Sequence, residues 1–99
     1  MSGITVYSKD NCPYCDKAMC LLEEINAPYK TVKLDPASPL YEQERDALIS
    51  RTKTNHKTFP FIFVGDAFIG GYQELMKSIQ STNFHALAAK VGIKIEEEF

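Results

Sequence analysis

The sequence predicts a small α/β domain in which a mixed four-stranded β-sheet is flanked by helices. Three observations carry that prediction. The elements run in the order β-α-β-α-β-β-α-α. The opening β-α-β unit calls for a parallel strand pair joined by a crossover helix. The third and fourth strands are separated by a two-residue turn signal, which makes them antiparallel. Ninety-nine residues correspond to one domain, spanning 1–99. With 44% hydrophobic residues the chain can build a core, and a chain of this size buries over ~60% of its unfolded surface without needing staples.

Each element has its own signal. "ITVYS", Ile4 to Ser8, is β-branched and aromatic and reads as a strand. From Pro13 the apolar positions Ala18, Leu21, Leu22 and Ile25 fall at i, i+3, i+4 and i+7, the stripe of a helix. Pro13 suits the first helical position, where its missing N–H costs nothing. Asn26 and Pro28 end that helix, and "YKTVKL", Tyr29 to Leu34, is the second strand. Ser38 followed by Pro39 reads as an N-cap and first helical residue, opening a helix to Thr52. "FPFIFV", Phe59 to Val64, and "AFIG", Ala67 to Gly70, form a hairpin through Gly65-Asp66. After Gly70-Gly71, helical spacing resumes at Leu75 and Ile79. Phe84, Leu87, Ala88 and Val91 make another stripe, closed by Gly92. The terminal "EEEF" reads as a solvated end.

Bulk properties exclude several function classes. A net charge of −2 gives no basic patch for a nucleic acid. No apolar run approaches the ~20 residues of a membrane span, and "MSGITVYSKD" lacks the basic and apolar regions of a signal peptide. A reducing, cytoplasmic location is therefore expected. Three cysteines within nine positions, in such a compartment, fit poorly with a disulfide scaffold.

The chemistry lies in Cys12-Pro13-Tyr14-Cys15. This pair sits where a strand gives way to a helix, and a helix start offers unpaired N–H groups and a partial positive charge. A Cys12 thiolate would be stabilised there, its pKa drawn below the free value of ~8.5. Cys15, one turn on, aligns with Ala18 and Leu22 and should be shielded. That asymmetry suits an attacking and a resolving thiol. A zinc site would need four ligands; beyond the pair only Cys20, His56 and His85 are available, with no second C-x-x-C. Cys20 points to the opposite side of its helix and reads as peripheral, with a regulatory thiol as the sharper alternative.

Lys9, "CPYC" at Cys12 to Cys15, "TFP" at Thr58 to Pro60 and "GG" at Gly70-Gly71 occur in an order and spacing that resemble the dithiol glutaredoxins over nearly the whole chain. The resemblance implies a thioredoxin fold and a cis peptide bond before Pro60, exposing the Phe59 backbone so that it can pair with an extended cysteinyl peptide. It further implies a glutathione-dependent oxidoreductase with Cys12 and Cys15 catalytic. Glutathione would be a cosubstrate, with no tightly bound cofactor or metal. The implied glutathione site comprises Lys9 and the loop residues His56 and Lys57 for the glycine carboxylate. Tyr14, Thr58, Phe59 and Pro60 would flank the peptide. Gly71, Tyr72 and Gln73 at a helix start would take the γ-glutamyl carboxylate. Many members carry Asp-Asp after the paired glycines and an intervening residue. Here Gln73 offers a hydrogen bond without charge, with Glu74 as partial compensation, so weaker glutathione affinity is expected. The implied partners are glutathionylated or disulfide-containing proteins, ribonucleotide reductase among them, acted on by a monomer. Two rival readings stand beside this one: a thioredoxin-like reductant served by a reductase, and a glutathione-ligated [2Fe–2S] carrier.

Overall fold

The computed structural model describes residues 3–95; the expected solvated "EEEF" end lies outside them. Eight elements follow in the expected order: β1 (Ile4–Lys9), α1 (Pro13–Glu24), β2 (Tyr29–Leu34), α2 (Tyr41–Thr52), β3 (Phe61–Val64), β4 (Ala67–Gly70), α3 (Tyr72–Gln80) and α4 (Asn83–Lys90). The sheet order is β2-β1-β3-β4. β1 pairs in parallel with β2, Ile4 opposite Tyr29 through Lys9 opposite Leu34. β3 runs antiparallel to both β1 and β4. This is the predicted thioredoxin fold.

All four side chains of "FIFV" are buried because β3 is a central strand covered on both faces. Ile62 and Val64 join Ile4 and Val6 against Ala18 and Leu22 of α1, Leu75 and Ile79 of α3 and Phe84 of α4. Phe61 and Phe63 turn the other way, to Leu34 and to Leu48 of α2. On that second face Arg51 of α2 donates to the Tyr7 hydroxyl at 2.8 Å, and its guanidinium lies 4.6 Å from the Phe63 ring centre. Cation–π contact of this kind adds to the hydrogen bond in holding α2 to the sheet.

Helix ends account for the main departures from expectation. α2 begins at Tyr41, not at Pro39, because two turns intervene. Ser38 N–H donates to the Asp35 carbonyl at 2.9 Å, and Tyr41 N–H to the Ser38 carbonyl at 3.1 Å. The Ser38 hydroxyl accepts from Leu40 N–H at 3.2 Å, so it closes a turn instead of capping a helix. β3 begins at Phe61, leaving Thr58–Pro60 as loop. β1 runs one residue further than read, to Lys9. α1 stops as expected. Asn26 takes a left-handed conformation (φ 56°), and Ala27 N–H returns to the Leu22 carbonyl at 2.9 Å, a Schellman closure.

The same end of α1 is tied to β2 through the Tyr29 hydroxyl, which donates to Glu23. That hydrogen bond, burial and the nearby Glu23 charge push the phenol up from 10.0 to about 12. The neutral phenol is thus favoured by folding. The stabilisation is complete below pH 10 and is lost as pH rises through about 12. In a phenolate absorbance titration one tyrosine should ionise near 12, and Glu23→Gln should move that step down toward 10. An unmoved step in the variant would break the assignment.

Candidate active site

Cys12 is the N-cap of α1, in extended conformation (φ −118°, ψ 93°), with Pro13 directly after it. Asn11, at φ 57°, turns the chain from β1 into that cap. The Cys12 sulfur accepts from the Cys15 N–H at 3.2 Å, satisfying one of the helix's orphan donors. Cys12 is half-buried and Cys15 only 1% exposed, on the stripe that continues through Ala18 and Leu22. The two are joined in a disulfide, with Cα atoms 5.2 Å apart. A sulfur held in an anion-stabilising position, beside a shielded partner, is equipped for thiol–disulfide exchange. Cys20 is free and exposed, turned away from the pair as expected.

Beside the pair lies a cavity of about 390 Å³ built from three segments. Tyr14 comes from the first turn of α1. His56, Thr58, Phe59 and Pro60 come from the loop before β3, and Gly71, Tyr72, Gln73 and Glu74 from the start of α3. Every residue of the expected glutathione set lines it except Lys9 and Lys57. The Phe59–Pro60 peptide bond is cis. Tyr14 is 53% exposed, and its ring centre is 6.2 Å from that of Tyr72, so the two tyrosines form one wall.

Lys9 reaches the site only through Phe59, its Nζ standing 5.3 Å from that ring's centre. His56 lines the cavity, yet its ring is engaged. Nε2 lies 3.2 Å from the Pro60 carbonyl oxygen, and since a carbonyl only accepts, Nε2 carries the proton. The ring meets Phe61 and Phe68 edge-on, each at 5.1 Å. His56 is therefore first a brace for the Thr58–Pro60 loop. Lys57 is exposed and lies outside the lining.

The α3 start shows what the paired glycines do. Gly70 has φ 129°, and a Cβ there would come within 2.6 Å of Glu74 Cβ. A Cβ on Gly71 would stand 3.2 Å from the His56 ring. A bulge precedes them: Ile62 pairs with Gly70 but Phe63 with Phe68, leaving Ile69 extra. Glu74, expected from the sequence only to compensate in part for the uncharged Gln73, closes the helix start. Its Oε1 accepts from Gly71 N–H at 2.8 Å. An acid three residues after the cap position is the signal that would have found it. The N–H groups of Tyr72 and Gln73, in the first turn, have no partner within the helix and face an end of positive potential.

The Glutaredoxin family model matches residues 4–69. The chain belongs to the glutaredoxin family. It is 34% identical over 91 residues to rice chloroplastic glutaredoxin-C4, covering 92% of this chain and 66% of that protein. It is 35% identical over 89 residues to glutaredoxin-2 of Schizosaccharomyces pombe, covering 89% and 77% of the two chains. The crystal structure of a buckwheat glutaredoxin–glutathione complex superposes with a TM-score of 0.77 at 26% identity, over 91% of this chain and 79% of that one. Glutaredoxin relatives include chloroplastic and mitochondrial forms. No described helix is long and apolar enough to cross a membrane.

Because Glu74 caps α3 from within the cavity wall, Glu74→Ala should lower stability by about 1 kcal/mol. Glu74→Gln, whose amide oxygen can still accept, should retain most of it. Chemical denaturation of the two variants measures the difference; equal losses would mean that the cap contributes through charge alone.

Proposed function

We propose that this glutaredoxin is a glutathione-dependent thiol–disulfide oxidoreductase that reduces glutathione mixed disulfides and protein disulfides. The observation that carries the proposal is the cavity beside Cys12, whose lining brings together Tyr14, the Thr58–Pro60 loop and the start of α3. Its composition suits a small peptide anion. Tyr14 and Tyr72 flank an extended chain, the Phe59 backbone offers strand-like pairing, and Tyr72 and Gln73 N–H groups meet a carboxylate. The likeness to the buckwheat glutaredoxin–glutathione complex supports the same ligand.

In deglutathionylation the Cys12 thiolate attacks the glutathionyl sulfur. The substrate thiolate leaves and takes up a proton. A second glutathione thiolate then attacks the glutathionyl sulfur of the adduct, releasing oxidised glutathione and the Cys12 thiolate. With a protein disulfide, Cys12 attacks first and forms a mixed disulfide. Cys15 then displaces the second substrate thiol, leaving the Cys12–Cys15 disulfide for two glutathiones to reduce. Exchange is fast when the attacking sulfur is largely thiolate and the leaving thiol is acidic. Glutathione is a cosubstrate here, and no tightly bound cofactor enters. The protein substrates belong to the glutathionylated and disulfide-bearing classes, with ribonucleotide reductase as the family expectation, in a reducing compartment such as the cytoplasm.

Coupled to glutathione reductase and NADPH, Cys12→Ser should reduce turnover of every substrate to the uncatalysed background. Cys15→Ser should keep mixed-disulfide turnover and lose protein-disulfide reduction. Loss of both activities in Cys15→Ser would reverse the roles assigned to the two thiols.

Gln73 faces the ligand's ammonium group without a charge of its own. Gln73→Asp should therefore lower the KM for glutathione about two- to fivefold, the range of a partly exposed ion pair, with kcat unchanged. A raised KM would place the ammonium group elsewhere.

A further inference from the structure

One residue before the end of β1 stands a serine that the exchange chemistry has not used. Ser8 is 1% exposed, and its Oγ has no hydrogen-bond partner among the described residues. A buried hydroxyl left unpaired costs about 1–3 kcal/mol. Such a group calls for a reason.

Its position supplies one. Side chains alternate across a strand, so Ser8 shares its face with Ile4 and Val6. Those two pack with Ala18 and Leu22 of α1. The crossover from β1 to its parallel partner β2 carries α1 back over β1, so the start of α1 lies above the end of β1. Cys15 continues the Ala18–Leu22 stripe one turn nearer that start, as Ser8 continues the Ile4–Val6 row toward it. One step past the Tyr7–Phe61 pair, Ser8 also falls beside Pro60, itself fully buried. The last inward residue of β1 and the buried sulfur thus occupy the same end of the same layer.

We infer that Ser8 is a positioning residue for Cys15, its hydroxyl donating to the Cys15 sulfur once the disulfide is opened. Opening by an external dithiol delivers two electrons and two protons. The dithiol becomes a disulfide, and Cys12 and Cys15 become thiols. The hydroxyl is orphaned in the disulfide form and partnered in the dithiol form, so it favours reduction. When Cys15 later attacks the mixed disulfide at Cys12, the same donor steadies the thiolate until its charge passes into the new sulfur–sulfur bond and the substrate thiolate departs. This assignment rests on the exchange roles proposed for the two cysteines.

The test is the dithiol–disulfide equilibrium of the purified protein in dithiothreitol redox buffers, for wild type, Ser8→Thr and Ser8→Val. Thr and Val are nearly isosteric, so their packing costs are shared and only the hydroxyl separates them. Val should shift the equilibrium about tenfold toward the disulfide, which is ~30 mV for a two-electron couple. Thr should remain within about threefold of wild type. If Val does not fold, by circular dichroism, Ser8→Ala takes its place with the same expected shift. Equal behaviour of Thr and the hydroxyl-free variant, no shift in the latter, or a shift toward the dithiol would overturn the inference. The buffer contains no glutathione. A wild type inactive with glutathione but showing the Thr–Val difference would therefore sink the substrate reading and leave Ser8 in its role, while the converse result would sink Ser8 alone.

Discussion

Burial of β1 and β3 between two helical layers is the constraint on which the other features depend. β3 presents phenylalanines to α2 and aliphatic residues to α1, α3 and α4, so neither layer can shift without exposing apolar surface. β1 lies between β2 and β3, paired with β3 as far as Tyr7 and with β2 through Lys9 at its end. A turn of three residues, Asp10 to Cys12, leads from that end to the first turn of α1. The cysteine pair inherits its position from a strand hydrogen-bonded on both sides along most of its length.

The cavity is assembled differently, from pieces that meet without sharing an element. The loop before β3 is braced by His56 on the Pro60 carbonyl, and the α3 start is closed by Glu74 on the Gly71 N–H. Gly71 is the contact between the two, since it leaves room for the His56 ring. One glycine without a side chain thereby lets two independently stabilised turns converge on a single concave surface.

Much of this was legible in the sequence because the signals were local. Periodicity located α1, the continuous apolar run located β3, and Cys12-Pro13-Tyr14-Cys15 announced both a helix start and its chemistry. Residues whose behaviour depends on distant partners were harder to read. Ser38 and Pro39 have the composition of a helix start, but Asp35 draws the chain into turns that delay α2 to Tyr41. His56 was legible as part of the site but not as a brace, because Pro60, Phe61 and Phe68 reach it only through the folded hairpin. Lys9 follows the motif's pattern, yet its ammonium group comes to rest on the Phe59 ring at the cavity's margin. Glu74 caps a helix that follows directly on a bulged strand, and no composition rule would locate that bulge.

The Cys12–Cys15 cross-link encloses a loop of only four residues, inside a turn of helix that hydrogen bonding and packing already hold. Loop-closure entropy grows with loop length, so a link this short restrains the unfolded chain by about 2 kcal/mol, against about 5 for a loop of a hundred residues. Opening this bond therefore costs the fold less than opening a long-range cross-link would. Oxidation state becomes a variable the molecule can change repeatedly, like a latch on a door whose hinges bear the weight elsewhere.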